Sequence, residues 1–423
     1  MSTKTPLPPQ PLLNTDAGAL VLSGGGARAA YQVGVLKALA ELTPESEPYP
    51  FKIICGTSAG AVNALLLASY MGPFKEAVER LCDLWMGLTV HDIYRSNWGS
   101  LLGNMFTITR SLFNQGVARR KPLALLDNTP LRELVTDLIP FENIQRNIDE
   151  EHLRAVCVNA MSYSQGESVS FFQGTEELAE WRRFRRCGER TKLTVDHLMA
   201  SAAIPTLFPT VKIGDEYFGD GAVRQLAPIS PALHMGASRV FVVGVSDNRS
   251  PIHWGKRRHV AKHSPSIAQV AGQLFNAAFI DSLEGDLEHL DRVNLLLDAV
   301  DGESLEGLAP LRPVESAVIE PSQSLDRLAG RKVRYLPPAL RWLFRSTGAT
   351  SSGGGASAAS YLLFEKPYLG ELVELGYQDA MWERDKLRAF MRPRTQLAVS
   401  EQKRLFGIKV KSAPEASNGN DPS

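Results

Sequence analysis

Apolar residues in this chain fall into two kinds of run that alternate near its start. Short runs, Ala17–Leu22 and Phe51–Cys55, each lead into a glycine-bearing turn. Between and after them, apolar positions repeat at helical spacing: Val33, Leu36, Leu39 and Ala40 in a segment from Ala29 to about Leu42, then Ala61 to Ala68. Short runs bounded by turn residues predict buried strands, and three-to-four spacing predicts helices. Strand, helix, strand, helix in that order predicts a parallel α/β layer with right-handed crossovers. Pro73 to Gly87 reads as a further helix, with Ala77, Leu81, Leu84 and Trp85 on one side. Strands are expected at Arg154–Ala160 and Ser168–Phe172. Arg239–Val245 is the clearest β run and should be central. Thr194 to Ala203 reads as a helix capped by Thr194 and stopped by Pro205 and Pro209. Val211–Phe218 reads as a hairpin turning at Gly214-Asp215. A long helix from Ser266 to about Asp291 follows, with Ile267, Val270, Leu283 and Leu287 on its apolar side. Then come a late strand at Val293–Leu297, another at Ala317–Ile319, and helix from about Ala359 to Met391.

Two stretches break this rhythm. Residues 93–126 carry Tyr94, Trp98, Leu101, Leu102, Met105, Phe106 and Phe113 with Arg110, Arg119, Arg120 and Lys121. They read either as a core-facing helix pair or as a lid or interfacial surface. Arg182-Arg183-Phe184-Arg185-Arg186 is a dense basic cluster, either a solvated face or a contact for anionic headgroups. His253 to His263 form a second basic stretch, read as a loop. The expected organisation is a disordered proline-rich lead over 1–16, a catalytic domain over 17–235 and an α/β continuation over 236–345. A Gly/Ser linker over 346–358, a helical segment over 359–411 and a polar tail over 412–423 complete it.

Composition narrows the partners. Lys+Arg 46 balance Asp+Glu 46, which argues against nucleic acid as the main partner. The four cysteines are scattered without metal or disulfide spacing, so a reducing, cytoplasmic compartment is expected. The N-terminus lacks an apolar export core, and no run suits a membrane-spanning helix. Membrane contact is therefore expected to be peripheral.

The candidate chemistry sits where strands end. Gly56-Thr57-Ser58-Ala59-Gly60 follows one apolar run and precedes a small-residue helix, the pattern of a nucleophile elbow. Its flanking glycines, Gly56 and Gly60, leave room for a sharp turn, and the helix start favours developing negative charge. Gly24-Gly25-Gly26-Ala27-Arg28 follows the first strand. Gly24, Gly26 and Ala29 fit a dinucleotide fingerprint, but the second strand lacks the carboxylate that would hold a ribose. The same glycines could instead offer backbone N–H groups to an oxyanion. A serine nucleophile needs a base. The eight histidines lie in predicted helices or charged loops, whereas Asp220, in Gly219-Asp220-Gly221-Ala222, stands at a strand end. Asp in such a setting is often only turn chemistry. In a dry pocket its proton affinity could rise enough to serve.

Taken together, these four elements, including Ala200-Ser201-Ala202-Ala203-Ile204-Pro205-Thr206-Leu207-Phe208-Pro209 before Asp220, resemble the patatin-like phospholipases over roughly residues 17 to 235. The resemblance implies a three-layer α/β/α fold with a mainly parallel sheet, and a lipid acyl hydrolase. By position, Ser58 would be the nucleophile, Asp220 the base, and Gly24–Arg28 the oxyanion loop. Gly56, Gly60, Gly221 and Ala222 belong to the motifs. The family often has glycine where this chain has Ala29. The chemistry needs neither metal nor cofactor, and its partner is a lipid ester. The alternatives are a non-catalytic membrane-docking protein that keeps the fold and a dinucleotide-binding oxidoreductase.

Overall fold

The computed structural model describes residues 17–113, 124–246, 281–299, 312–346 and 356–391, with Val270 and Asn276. Expectations for 1–16, 253–263, most of the Gly/Ser stretch and 392–423 lie outside these residues.

The first two strands, β1 (Ala17–Leu22) and β2 (Ile53–Thr57), flank helix α1 (Ala30–Leu42), and α2 (Ala59–Ser69) starts immediately after Ser58. Helix α3 (Phe74–Gly87) follows, then α4 (Trp98–Phe113) and α5 (Thr129–Leu138). Next come β3 (Ala155–Ser162), β4 (Ser168–Gly174), β5 (Trp181–Arg183), β6 (Arg186–Arg190) and α6 (Val195–Ser201). The hairpin β7 (Val211–Ile213) and β8 (Glu216–Asp220) precedes β9 (Ala237–Val243). The rest is α7 (Asp281–Ala299), β10 (Glu315–Ile319), α8 (Leu325–Lys332), α9 (Pro338–Ser346), α10 (Ala356–Leu362), α11 (Lys366–Trp382) and α12 (Arg384–Met391).

Among the described residues ten strands form one sheet, ordered β10-β9-β1-β2-β3-β4-β6-β5, with the β7–β8 hairpin joined to β3. From β10 to β3 every neighbouring pair is parallel, and β4 then turns antiparallel. Strand alternation sorts side chains to two cores. Leu20 and Leu22 of β1 join one apolar cluster with α1, α2 and α11, while Ala19 and Val21 join the other with Leu283 and Leu290 of α7. The sheet is thus covered on both faces, as a largely parallel sheet requires.

The edge of β3 explains where the site forms. β2 pairs along it from Ile53↔Ala155 to Thr57↔Asn159 and stops. β8 arrives from the opposite direction and continues along that edge from Ala160↔Asp220 to Ser162↔Phe218, since β4 fills the other edge. The last residue of β8 therefore meets the residue that follows β2.

One strand expectation fails. Val293–Leu297 lies inside helix α7. A five-residue window reads apolar, but Leu283, Leu287 and Leu290 set a helical period, and Leu295 and Leu296 on that helix are largely exposed. Val270, expected on an apolar face, is half-exposed. In the 93–126 stretch, Tyr94 and Leu101 are buried while Trp98, Leu102 and Phe106 of α4 face solvent.

The C-terminal helices share the first core. α11 lies along α1 with backbones nearly touching: a Cβ at Gly34 would strike the Val373 carbonyl, and one at Gly376 would strike the Tyr31 carbonyl. No helix among the described residues is long and apolar enough to cross a membrane.

Candidate active site

Ser58 has φ 54 and ψ −126, a conformation L-residues rarely adopt. Packing on both sides enforces it. A Cβ at Gly56 would come 2.5 Å from Ala61 Cα, and one at Gly60 would strike the Leu22 carbonyl. The Ser58 N–H donates to Ser201 Oγ at 2.8 Å, and Ser201 Oγ donates to the Asn159 carbonyl at 2.6 Å. Thr57, one residue earlier, donates to Gln225 and accepts from Asn159. The elbow is thereby tied to β3 and to the turn after Asp220. Asn159 and Gln225 look like ordinary polar residues in the sequence, and Ser201, though within the Ala200–Pro209 motif, carries no local sign that it holds the elbow.

Ser58 Oγ donates to Asp220 Oδ2 at 2.6 Å. The Ala222 N–H donates to Asp220 Oδ1 at 2.9 Å, and the Asp220 N–H is held by the Ala203 carbonyl. Asp220 is fully buried. Burial pushes its carboxyl up to about 7, against the two hydrogen bonds from Ser58 and Ala222, which favour the charged form. No cation contributes to that balance. A carboxyl near neutrality that accepts a serine hydrogen is suited to general-base work.

Among the described residues no histidine bonds Ser58. His197 accepts from the Thr194 N–H at the start of α6 and packs edge-on to Phe171. His234 sits against Trp181 near the Ser230 carbonyl, and burial holds its ring neutral by lowering its affinity to about 4.

The glycine loop reaches the site from β1. Gly26–Ala29 form a single 3-10 turn, and Gly26 has φ 54. The amides of Gly24, Gly25, Gly26 and Ala27 have no protein acceptor among the described residues. Gly26 and Ser58 line one apolar cleft, walled by Val62, Leu66, Leu131, Val135 and Phe208. Its lining suits a hydrocarbon chain better than a polar ligand.

The Arg28 side chain turns away from this cleft. It is 2% exposed, donates from Nε to Ser360 Oγ at 2.7 Å, pairs with Asp326, and lies over the Tyr361 ring. The slot that a Cβ at Gly26 would enter is filled by the Tyr361 carbonyl. Residues from the last third of the chain therefore support the loop from behind, which spacing alone could not reveal. A second support lies between α1, α2 and α3: Trp85 donates to Asn63, Asn63 to Gln32, and Gln32 to the Ser23 carbonyl.

Comparison with known proteins agrees with this architecture. The family model described as Patatin-like phospholipase matches residues 20–233. A Pseudomonas aeruginosa protein named cGAMP-activated phospholipase is 28% identical over 215 residues, 51% of this chain. The match spans 55% of that relative, about half its length. Among solved structures, the chain is matched to VipD from Legionella pneumophila, at 13% identity and TM-score 0.34, over 91% of this chain and 72% of that one. It is also matched to a chain of the ExoU–SpcU complex from Pseudomonas aeruginosa, at 16% identity and TM-score 0.26, over 82% and 68% of the two chains. With half of its length matched by that model, glycine loop, elbow and Asp220 included, this chain belongs to the patatin-like phospholipase family.

Proposed function

We propose that the protein is a lipid acyl hydrolase working through Ser58 and Asp220 alone. The observation that carries this reading is the 2.6 Å hydrogen bond from Ser58 Oγ to a buried carboxylate that has no cationic partner. Ser58 Oγ attacks the ester carbonyl as its proton passes to Asp220. The carbonyl oxygen, now negative, is held by amides of the Gly24–Ala27 stretch, preorganised before charge develops. Asp220 returns the proton to the departing alcohol. Water then enters, gives a proton to Asp220 and attacks the acyl-enzyme. Asp220 passes that proton to Ser58 Oγ as the ester bond breaks, releasing the fatty acid and free Ser58. The apolar cleft beside Ser58 takes the acyl chain. Phospholipids and lysophospholipids are the substrate class, met at a membrane surface.

The test is hydrolysis of a lipid panel with product mass spectrometry, run with and without cGAMP because a relative bears that name. Ser58→Ala and Asp220→Asn are each expected to lose at least ~10³-fold in rate while keeping the fold. Full activity in either variant would defeat the reading.

A further inference from the structure

Four arginines and a bare phenylalanine stand at the end of the sheet where Ser58 lies. β5 and β6 are joined by a tight turn at Phe184-Arg185. Strand register places that turn. Thr57 pairs with Asn159, and two residues further along β3, Met161 pairs with Ser168. Ser168 pairs with Arg186, which pairs with Arg183. The turn therefore projects from the same end of the sheet as the Ser58–Asp220 pair. It lies three strands across, roughly 14 Å at ordinary interstrand spacing.

Phe184 is 83% exposed, and the Arg185 guanidinium lies over its ring. Arg185 has φ 57, the left-handed conformation that holds the tip outward. Arg182 pairs with Glu167 at 3.7 Å. Arg183 and Arg185 have no ion pair among the described residues. Tyr163 stands between the turn and the dyad, half-exposed, with its ring over Gly219. The carboxylates near this turn include Glu167, Glu189, Asp215 and Glu216. Glu167 is paired with Arg182, Glu189 lies near Arg182 and Glu216, and Glu216 accepts from Ser162 and Gln165.

We propose that this turn docks the protein on an anionic bilayer. Phe184 enters the boundary between headgroups and acyl chains, and Arg183 and Arg185 bind lipid phosphates beside it. The proposal rests on the acyl-hydrolase reading, because docking this edge brings the reactive end of the cleft to its substrate. A bilayer fits better than nucleic acid. The cluster falls within five successive residues, carries an exposed aromatic ring among its arginines, and belongs to a chain of formal net charge +0.

The experiment is co-sedimentation of the full chain with vesicles of phosphatidylglycerol and phosphatidylcholine, and with phosphatidylcholine alone. Binding to the anionic vesicles is expected. It should weaken about 30-fold in Arg183→Gln/Arg185→Gln and about tenfold in Phe184→Ser. Phe184→Trp should shift its emission to the blue on adding anionic vesicles. All three variants should hydrolyse a soluble short-chain ester at the parent rate. Vesicle binding unchanged by these substitutions, equal binding to both vesicle types, or preferential capture of an oligonucleotide would overturn the proposal. Turn-dependent vesicle binding by a chain that cleaves no ester would leave the docking intact and remove the hydrolase reading instead.

Discussion

The two sides of the glycine loop obey opposite electrostatic rules. On the front, Asp220 is fully buried with two hydrogen bonds and no cation, and its carboxyl is pushed up to about 7. On the back, Arg28 is equally buried but paired with Asp326, bonded to Ser360 and stacked on Tyr361. The unpaired group can exchange a proton near neutral pH. The paired group is held in place and supports the loop. The comparison teaches that, around this loop, the buried charge without a counter-ion is the one proposed to exchange a proton, and the paired one is the support.

The comparison breaks first if the C-terminal helices are a removable appendage. Gly376→Leu would drive a side chain into the Tyr31 carbonyl of α1. We expect a loss of about 3 kcal/mol or more, read as loss of soluble, cooperatively unfolding protein. Gly87→Leu, at a helix glycine with nothing within 4 Å, should fold normally. Normal folding of both would separate the two halves.

The next effect concerns the back of the loop. Asp326→Ala leaves the Arg28 charge buried without its partner. Because Asp326 is 31% exposed, the cost should be about 1–3 kcal/mol by urea denaturation. The hydrolytic rate should fall with little change in KM, since the loop that holds the oxyanion loses its support.

The smallest effect sharpens the front. Asp220 holds its proton to about pH 7 when folded, whereas the unfolded carboxyl releases it near ~4. In that window the native state binds more protons, so the stability contributed by this group declines as pH rises and is gone above about 7. Asp220→Asn removes that slope. Its melting temperature should gain on the parent from pH 5 to pH 8. Glu320, also pushed up to about 7 by burial, is common to both proteins and cancels in the difference. Parent activity should rise with pH through about 7, as the base loses its proton.

How much of this was legible in the sequence follows from range. The elbow glycines, the β1 loop and the strand-end Asp220 are local patterns, because turns need particular residues within a few positions. That Ser58 and Asp220 meet depends on β2 and β8 sharing one edge of β3, which local pattern does not encode. The Arg28 partners lie about three hundred residues downstream, so the side chain of that motif residue could not be placed. Val293–Leu297 was misread because a short apolar run carries no period of its own.

The central claim is that a carboxylate, without an imidazole, activates Ser58. Labelling with a fluorophosphonate, followed by intact-protein mass spectrometry over time, addresses it directly. The parent should gain one adduct on Ser58, and Asp220→Asn should label at least ~100-fold more slowly while still unfolding cooperatively. Labelling of Asp220→Asn at the parent rate, or an adduct elsewhere than Ser58, would contradict the account.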